Sequence, residues 1–584
     1  MRFREGIIYF IYLMKKIYIL FFLTYLSHSF SQSLTQINPQ LAEGIPIAKV
    51  TILLKKGNQL IPTTEAETNA FYTAFGIRPG ALFNKQVVEM SMKRIEQEPT
   101  IAKVSYAAFN SEFNGPVDLV FEVNFKDETY TTPTEKGMIA NRTFSDFPVL
   151  IETSTSKLTL LLNGATGLFN ETNAFFGQGE LFTQGNPIAT NPAGKGTRFW
   201  GEAFIEPGIA GITKIGKKQN YVYGSVSALI SGRNTSDIYS EGSTVFVDFE
   251  RLYAGILFTG LTKSKDLNID FSIGRNFFQL NEGFLISRIS GSANAGDRGS
   301  VYLSSRTAFQ KTALLSIHKN QFRLNGFFLE PEELFKDKQS NTNYSGGSFT
   351  FNNNKTIDAG LTYLTVTGGK SNYSIPNGVI PQKGMYIINP KVYLSNIAQT
   401  GLFIKTEYAY QAHHTEDMQS KAWYAGIGYK SKWKGNPSLY YRYAYMEGDD
   451  LNSSSYNRFD PILTGGLGNW VQGINFRKVI GNGNIVTHRL EVKGNFSKKW
   501  DLSLDYFILR ADQLNNQGGL GPISNLKDKS FGQELTLNTR YFINNHFMLF
   551  GLYSFANPGK AIQNSFDEKV YNWNSFQLAL FMFF

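Results

Sequence analysis

Two groups of residues in this sequence have side chains suited to chemistry. The stretch "AHHTED" sets His413 and His414 beside Glu416 and Asp417, imidazoles and carboxylates of the kind that ligate divalent cations. Adjacent His in a polar stretch lack the spacing that a helix or paired strands would impose, so a solvated loop is expected and no metal is assigned. His488 is a second candidate, because a hydrolase needs an imidazole within hydrogen-bond reach of a Ser hydroxyl. The alternation of its segment places His488 on an apolar face, and spacing pairs no Ser with it. The chain has no cysteine, which excludes disulfides, thiolate metal sites and a lipid-modified N-terminal Cys. No phosphate-binding loop is present. The expectation is a protein that is not an enzyme and takes no cofactor.

The charged residues carry a different message. In "NIVTHRLEVKGNF", Val486, His488, Leu490, Val492 and Phe496 share one face, and Thr487, Arg489, Glu491, Lys493 and Asn495 the other. In "SLYYRYAYME", Leu439, Tyr441, Tyr443 and Tyr445 oppose Tyr440, Arg442 and Ala444. In "QELTLNTRYF", Leu535, Leu537 and Tyr541 oppose Glu534, Thr536, Asn538 and Arg540. One face suits hydrocarbon and the other water, and from Pro148 onward the pattern repeats for about sixteen to eighteen strands. The charges it turns inward are mixed: Lys405, Arg442, Arg489, Lys493 and Arg540 against Glu407, Glu491, Asp505 and Glu534. Interleaved signs predict internal pairs along a lumen wall.

Composition and connections agree. Phe (49) and Tyr (30) are abundant, which favours strands, and no segment after the leader has the long apolar run of a membrane-spanning helix. The excess of basic residues (+10) is dispersed, with no block dense enough for nucleic acid. Reading back from the C-terminus, the polar "NPGKAIQNSFDEK", the tight turn at Asn544 and Asn545, the long "ADQLNNQGGLGPISNLKDK" and the short "NFSKKW" alternate. Long external loops and short periplasmic turns are what an outer-membrane barrel shows. The last strand, "SFQLALFMFF", sets Phe576, Leu578, Leu580, Met582 and Phe584 on the lipid side. The fold class is therefore mainly β, a transmembrane antiparallel barrel over 148–584.

The front of the chain is organised differently. Lys15 and Lys16, just after Met14, precede an apolar stretch and then Ser29 and Ser31, the order of a signal peptide over 1–31. An extension, 32–45, leads to a small α+β unit over 46–126. "IAKVTILLKKGN" reads as a strand with Val50, Ile52 and Leu54 on one face. Two helical segments follow, the first with Ala70, Phe71, Ala74 and Phe75 on one side, the second capped by Asn84 with Val88, Met92 and Ile95 inward. Two further strands, "IAKVSYAAFN" and "PVDLVFEVNFK", complete a βααββ order, and 127–147 reads as a polar linker.

Several of these stretches resemble known families. The βααββ unit, with its "GIRPGALFN" turn and closing "VDLVFEV" strand, resembles a POTRA domain. That implies a periplasmic position and the binding of a client or partner protein by strand addition along Val50–Leu54 or Val104–Ala108. In the barrel, "IGRNFFQLNEGFLI", "RFDPILTGGLGNWVQGINF" and "KKWDLSLDYFILRAD" are similar to alginate-export-type outer-membrane channels. The resemblance implies a wide conduit for an anionic polymer and suggests roles for Arg275, Arg458, Asp460 and Arg489, while the mixed lumen charge departs from an alginate-selective wall. The overall layout resembles the Omp85 and two-partner-secretion transporters, which insert barrels or secrete polypeptides. Their late Arg-Gly-aromatic motif is not matched, since the one Arg-Gly, Arg298 and Gly299, comes early and is followed by Ser300. A terminal Phe like Phe584 resembles the signature read by the barrel-assembly machinery. The readings carried forward are a conduit, an assembly or secretion factor, and an accessory subunit of an envelope complex. Outer-membrane lipids and a periplasmic protein are the expected partners.

Overall fold

A computed structural model describes residues 35–584 apart from 58, 62–64, 111–114, 127–148, 184–191, 289–299, 304–307, 334–338, 376–377, 434, 454, 465–469, 498 and 518. The expected signal peptide, the linker and the Arg298–Gly299 pair lie outside the described residues.

The N-terminal unit comprises β1 (Gln36–Ile37), β2 (Ile47–Lys56), β3 (Gln59–Ile61), α1 (Glu65–Phe75), α2 (Lys85–Glu96), β4 (Ile101–Phe109) and β5 (Val117–Phe125). Its sheet runs β1-β4-β5-β2-β3, with β2 parallel to β5 and the other pairs antiparallel. Alternate residues of the central strands, Val50, Ile52, Leu54, Leu119, Phe121 and Val123, are buried against Phe75, Val88, Met92 and Ile95 from the helices. Asn84 caps α2, its side-chain oxygen accepting from the Val87 N–H at 3.1 Å.

Three expectations need correction. Residues 36–45 are part of this unit and not a separate extension: β1 pairs with β4, and Ile37, Ala42 and Ile45 are in its core. On α1, Ala70 and Ala74 are exposed, and the inward side is Phe71, Tyr72 and Phe75, whose rings reach the sheet where a methyl group cannot. Neither expected edge strand is free along its length. β3 covers β2 at Leu54–Lys56, β1 covers β4 at Ala108–Phe109, and both backbone groups of Val50 are bonded to Asn354.

The rest is one sheet closed on itself. After a short β6 (Val149–Glu152) come β7 (Ser156–Thr172), β8 (Thr197–Ile215), β9 (Asn220–Arg233), β10 (Thr244–Phe258), β11 (Leu267–Phe277), β12 (Ala308–Lys319), β13 (Phe322–Glu330), β14 (Asn343–Asn352) and β15 (Ile357–Gly368). A separate hairpin, β16 (Asn372–Ile375) and β17 (Gly378–Pro381), interrupts the ring. It continues as β18 (Met385–Ile397), β19 (Leu402–His413), β20 (Gln419–Lys430), β21 (Ser438–Met446), β22 (Ile485–Ser497), β23 (Trp500–Arg510), β24 (Ser530–Phe542), β25 (Phe547–Pro558) and β26 (Trp573–Phe583). Eighteen strands close when β26 pairs with β7, Phe583 opposite Asn163 and Asn574 opposite Thr172. Closure satisfies every strand's backbone donors and acceptors, a requirement for any sheet that faces lipid.

Side chains alternate as the sequence implied. In β22, Thr487, Arg489 and Glu491 are buried while Val486, His488 and Leu490 are partly exposed. In β26, Phe576 is 45 % and Leu578 37 % exposed, with Leu580, Met582 and Phe584 half-buried. Phe584 stacks on His546 at 4.5 Å, and its backbone N–H donates to the Leu162 carbonyl at 2.9 Å, tying the chain end to β7. Connections at one end of the ring, such as 173–196, 278–307, 447–484 and 511–529, are long. Those at the other, such as 216–219, 320–321, 398–401 and 543–546, are tight. Residues 414–418 are the short member of the long end. Protease added to intact cells is expected to cut near Leu520–Gly521, which are exposed at the long end, and to spare 543–546; fragments ending in the 543–546 turn would reverse the assigned topology.

Candidate functional site

The barrel interior is occupied from both ends. At the end with tight turns, the N-terminal unit sits in the mouth. One face of α2 packs on its own sheet, and the opposite, polar face lies against the barrel wall. Glu89 and Lys157 form a buried ion pair at 2.5 Å, exposed by 1 % and 3 %, and Gln86 Nε2 donates to Thr159 Oγ1 at 3.3 Å. Met90 enters a cluster with Ile212, Tyr221, Tyr223, Tyr253 and Leu257.

Around the rest of the rim the bonds are also mostly polar. The Asn354 side chain accepts from Val50 N at 3.1 Å and donates to Val50 O at 2.8 Å, a strand-like pairing offered by a turn. Arg540 donates to Asn110 Oδ1 at 2.9 Å, and Asn38 Nδ2 to Asn545 O at 2.6 Å. Arg323 reaches Arg78 O at 3.3 Å, and Asn495 bonds Thr35. Phe542, Met548 and Phe583 from the last strands extend the unit's apolar core.

From the other end, two long connections fold inward. Leu285–Ser287 and Leu463 exchange backbone bonds at 3.0 and 3.2 Å. Phe284 packs on Trp470 at 4.7 Å, and Trp470 lies under the Arg442 guanidinium at 4.0 Å. Glu534 accepts from the backbone N–H groups of Ile474, Asn475 and Phe476, pinning that segment to the wall. The two closures touch. Arg288 donates to the Leu41 carbonyl at 2.9 Å, and Gly44, at φ +74°, passes so close to Phe277 that a Cβ there would lie 2.4 Å from Phe277 Cβ. Between the N-terminal unit and the wall remains a chamber of about 730 Å³, lined by Lys49 and Asp118 of the unit and by Arg489, Glu491 and Asp505 of the wall.

Every inward residue expected from the strand alternation has partners in this interior. Lys405 pairs with Glu282, and Glu407 accepts from Tyr393 and from Tyr424, the latter at 3.0 Å. Arg489 bridges Asp505 at 2.7 Å and Glu491, which also holds Lys493 at 2.9 Å. Arg540 pairs with Asp501 at 2.6 Å. Arg275, Arg458 and Asp460 have separate partners near the long end: Arg275 pairs with Glu332, Arg458 donates to Asn516 Oδ1 at 3.0 Å, and Asp460 accepts from Tyr373 at 2.5 Å. They act there as anchors of the packed connections.

At the "AHHTED" stretch, His413 Nδ1 accepts from the Glu416 backbone at 3.0 Å and His414 stacks on Tyr386. Among the described residues no three metal-ligating side chains converge. His488 bonds the Tyr441 hydroxyl at 2.7 Å on the outer face. Residues missed in the sequence are those that seat the N-terminal unit: Glu89, Lys157, Asn110, Asn354 and Arg288. The one available signal was the Asn352–Asn354 run, three amides in a turn.

The alginate export family matches residues 235–574, more than half of the chain, and takes in all three of the barrel stretches quoted above. The chain belongs to the alginate export family. It is an outer-membrane barrel channel for transport. No curated protein sequence matches. Among solved structures, Pseudomonas aeruginosa OccK9 (OpdG) superposes with a TM-score of 0.46 at 11 % identity, over 73 % of this chain and 98 % of that one. Pseudomonas aeruginosa OccK5 (OpdH) gives 0.43 at 11 % identity over 73 % and 98 %. Salmonella typhi OmpF in complex with daunomycin gives 0.36 at 12 % over 74 % and 99 %.

Two tests address the seam in this alginate export family member. Lys157→Ala removes the cation bonded to the buried Glu89, leaving Lys85 one helical turn away, and is expected to loosen the N-terminal unit by up to about 3 kcal/mol. Faster proteolysis within α2 in the folded barrel would report this, and unchanged protection would remove the pair from the seam. Burial raises the Glu43 carboxyl, opposed by Arg251, the Lys85 N–H and Arg288. A carboxyl that is raised when docked favours docking below the ordinary carboxyl range, and that contribution is lost as pH rises through the raised value. Amide exchange in α2 is therefore expected to slow as pH-corrected conditions become more acidic. Glu43→Gln should flatten that trend; a variant with the wild-type slope would exclude Glu43 as its source.

Proposed function

We propose that this channel exports a polymer across the outer membrane and that its N-terminal unit is a POTRA-like periplasmic domain that shuts the inner mouth. The observation that carries the reading is the seating of that unit inside the barrel, bonded to strands and turns around the whole rim. Family membership supports export, and an eighteen-stranded ring is wide enough to pass a chain once emptied. Tight turns at the plugged end support its assignment to the periplasm.

The chemistry of the seam suits a closure that must open. Hydrogen bonds between the domain and the wall are exchanged for bonds to water when the domain moves, so each contributes only about 0.5–1.5 kcal/mol net. The lumen wall supports a cargo of modest charge. Arg489, Lys493, Arg540 and Lys405 are each matched by a carboxylate, which leaves a weaker field than an alginate-selective constriction would need.

The absence of native cysteine makes a direct test available. Gln86→Cys and Thr159→Cys, joined by a disulfide or a short bis-thiol linker, would fix α2 to the wall. In planar bilayers the linked protein is expected to stay closed under conditions in which the reduced form opens. Removal of residues 32–146 should increase open time. Equal conductance with and without the link would overturn the domain as the closure.

A further inference from the structure

Although the basic residues are dispersed along the sequence, the ring gathers some of them at one part of the tight-turn rim. Three successive tight connections, between β8 and β9, β10 and β11, and β12 and β13, carry or adjoin five exposed lysines: Lys217, Lys218, Lys263, Lys265 and Lys319. These hairpins are neighbours in the ring, so the ammonium groups form a continuous arc on one side of the rim. The only carboxylate in these three connections is Asp266. It is turned into its own turn by the Ser264 and Thr262 hydroxyls, which hold it down at about 2.

At the opposite end, several cations sit in pairs, Lys195 with Glu568, Arg233 with Asp237, Lys311 with Glu330 and Lys421 with Glu447, and the exposed Lys370, Lys383, Lys527, Lys560 and Lys569 are divided among three separate long connections. The arc also has an apolar border on the outer face of the barrel. Ile215 (38 % exposed), Leu261 (42 %), Phe271 (41 %) and Phe322 (47 %) lie beside or just above the lysines. Apolar side chains in hydrocarbon with lysines one or two residues nearer water is the arrangement in which ammonium groups reach the headgroup plane.

We propose that this arc binds the headgroups of anionic phospholipids in the leaflet at the tight-turn end of the barrel. The lateral apolar border favours lipid over a soluble anion, which would not need it. Clustered lysines near a membrane surface draw anionic lipid by an attraction that salt screens within a Debye length. The site would hold the barrel's azimuth and depth at the rim where α2 is docked, since Arg94 of α2 donates to Thr259 of the same hairpin at 3.3 Å. The inference rests on that end facing a phospholipid leaflet, as the export reading requires, but its test is independent of orientation and conductance.

The test uses the purified full-length protein in nanodiscs made from equal amounts of phosphatidylglycerol and phosphatidylcholine, with retained lipid counted by native mass spectrometry. The expected result is enrichment of phosphatidylglycerol on the order of tenfold, eroded by raised salt. Replacing all five lysines by Gln should bring the ratio close to one, whereas Lys311→Gln, at the other end, should leave it unchanged. Heat-modifiable gel mobility confirms that each variant is folded, and the salt dependence of the wild type stands if the fivefold variant is not. An enrichment that survives the five substitutions, or that falls equally with Lys311→Gln, would overturn the arc as the lipid site. So would loss of binding to a soluble anionic polymer such as polyglutamate with no change in the lipid ratio.

Discussion

Everything inside this barrel depends on a wall that must be polar because its other face cannot be. Strand alternation gives each inward position to whatever lipid would reject, so the lumen is lined with Lys, Arg, Glu, Asp and Asn. A body that fills such a lumen has to carry a water-compatible surface over its own apolar core. A small α+β domain has that construction. Its α2 shows the consequence: Val88, Met92 and Ile95 face the domain's sheet, while Gln86 and Glu89 bond to Thr159 and Lys157 where a free domain would meet solvent. Buried ion pairs of this kind roughly break even against their desolvation, so they define one seating without making it permanent.

The closures from the two ends form one packed assembly. Leu41 and Gly44 meet Arg288 and Phe277; the segment carrying Arg288 pairs through Leu285–Ser287 with Leu463; and Phe284 leads to Trp470 and Arg442 on the wall. Withdrawing the N-terminal unit removes the carbonyl that Arg288 bonds and uncovers the Phe277 ring. Water entering the vacated space would supply the lost acceptor to Arg288 but not the lost contact to Phe277. The inward connection therefore loses part of its packing whenever the domain leaves, and retains it whenever the domain is seated.

Much of this was legible in the sequence wherever one periodicity decided the outcome. The inward charges in β19, β21, β22, β23 and β24, the lipid face of β26 and the apolar face of α2 all follow from periods of 2 or 3.6, which local sterics enforce. The seam was not legible, because the polar face of an amphipathic helix reads the same whether it meets water or a polar wall. Glu89 and Lys157 carry no local sign of each other. The inward fold of 278–288, 459–464 and 470–484 was equally hidden: these segments have no period, and their positions come from single contacts such as Glu534 to the backbone of 474–476. Likewise Ala70 and Ala74 fit a helical stripe, yet larger neighbouring rings took the buried side.

Where charge is neutralised, and where it is not, divides the molecule by task. Within the lumen, Lys405, Arg489, Lys493 and Arg540 are held at short range by carboxylates and Arg323, Arg458 and Arg288 by carbonyl or amide oxygens, because a buried charge without such partners would cost several kcal/mol. At the tight-turn rim no such constraint applies, since lysines there remain hydrated, and the sequence's excess of basic residues can be spent on long-range attraction. A nearly neutral wall offers a passing solute no deep binding site, and strong attachment at one point would slow release at the next. A charged rim does the opposite and holds whatever anionic surface it meets. The same lysine placed among the paired residues of β22 would either capture a carboxylate or lose its charge; placed in the turn after β8 it keeps both its charge and its freedom.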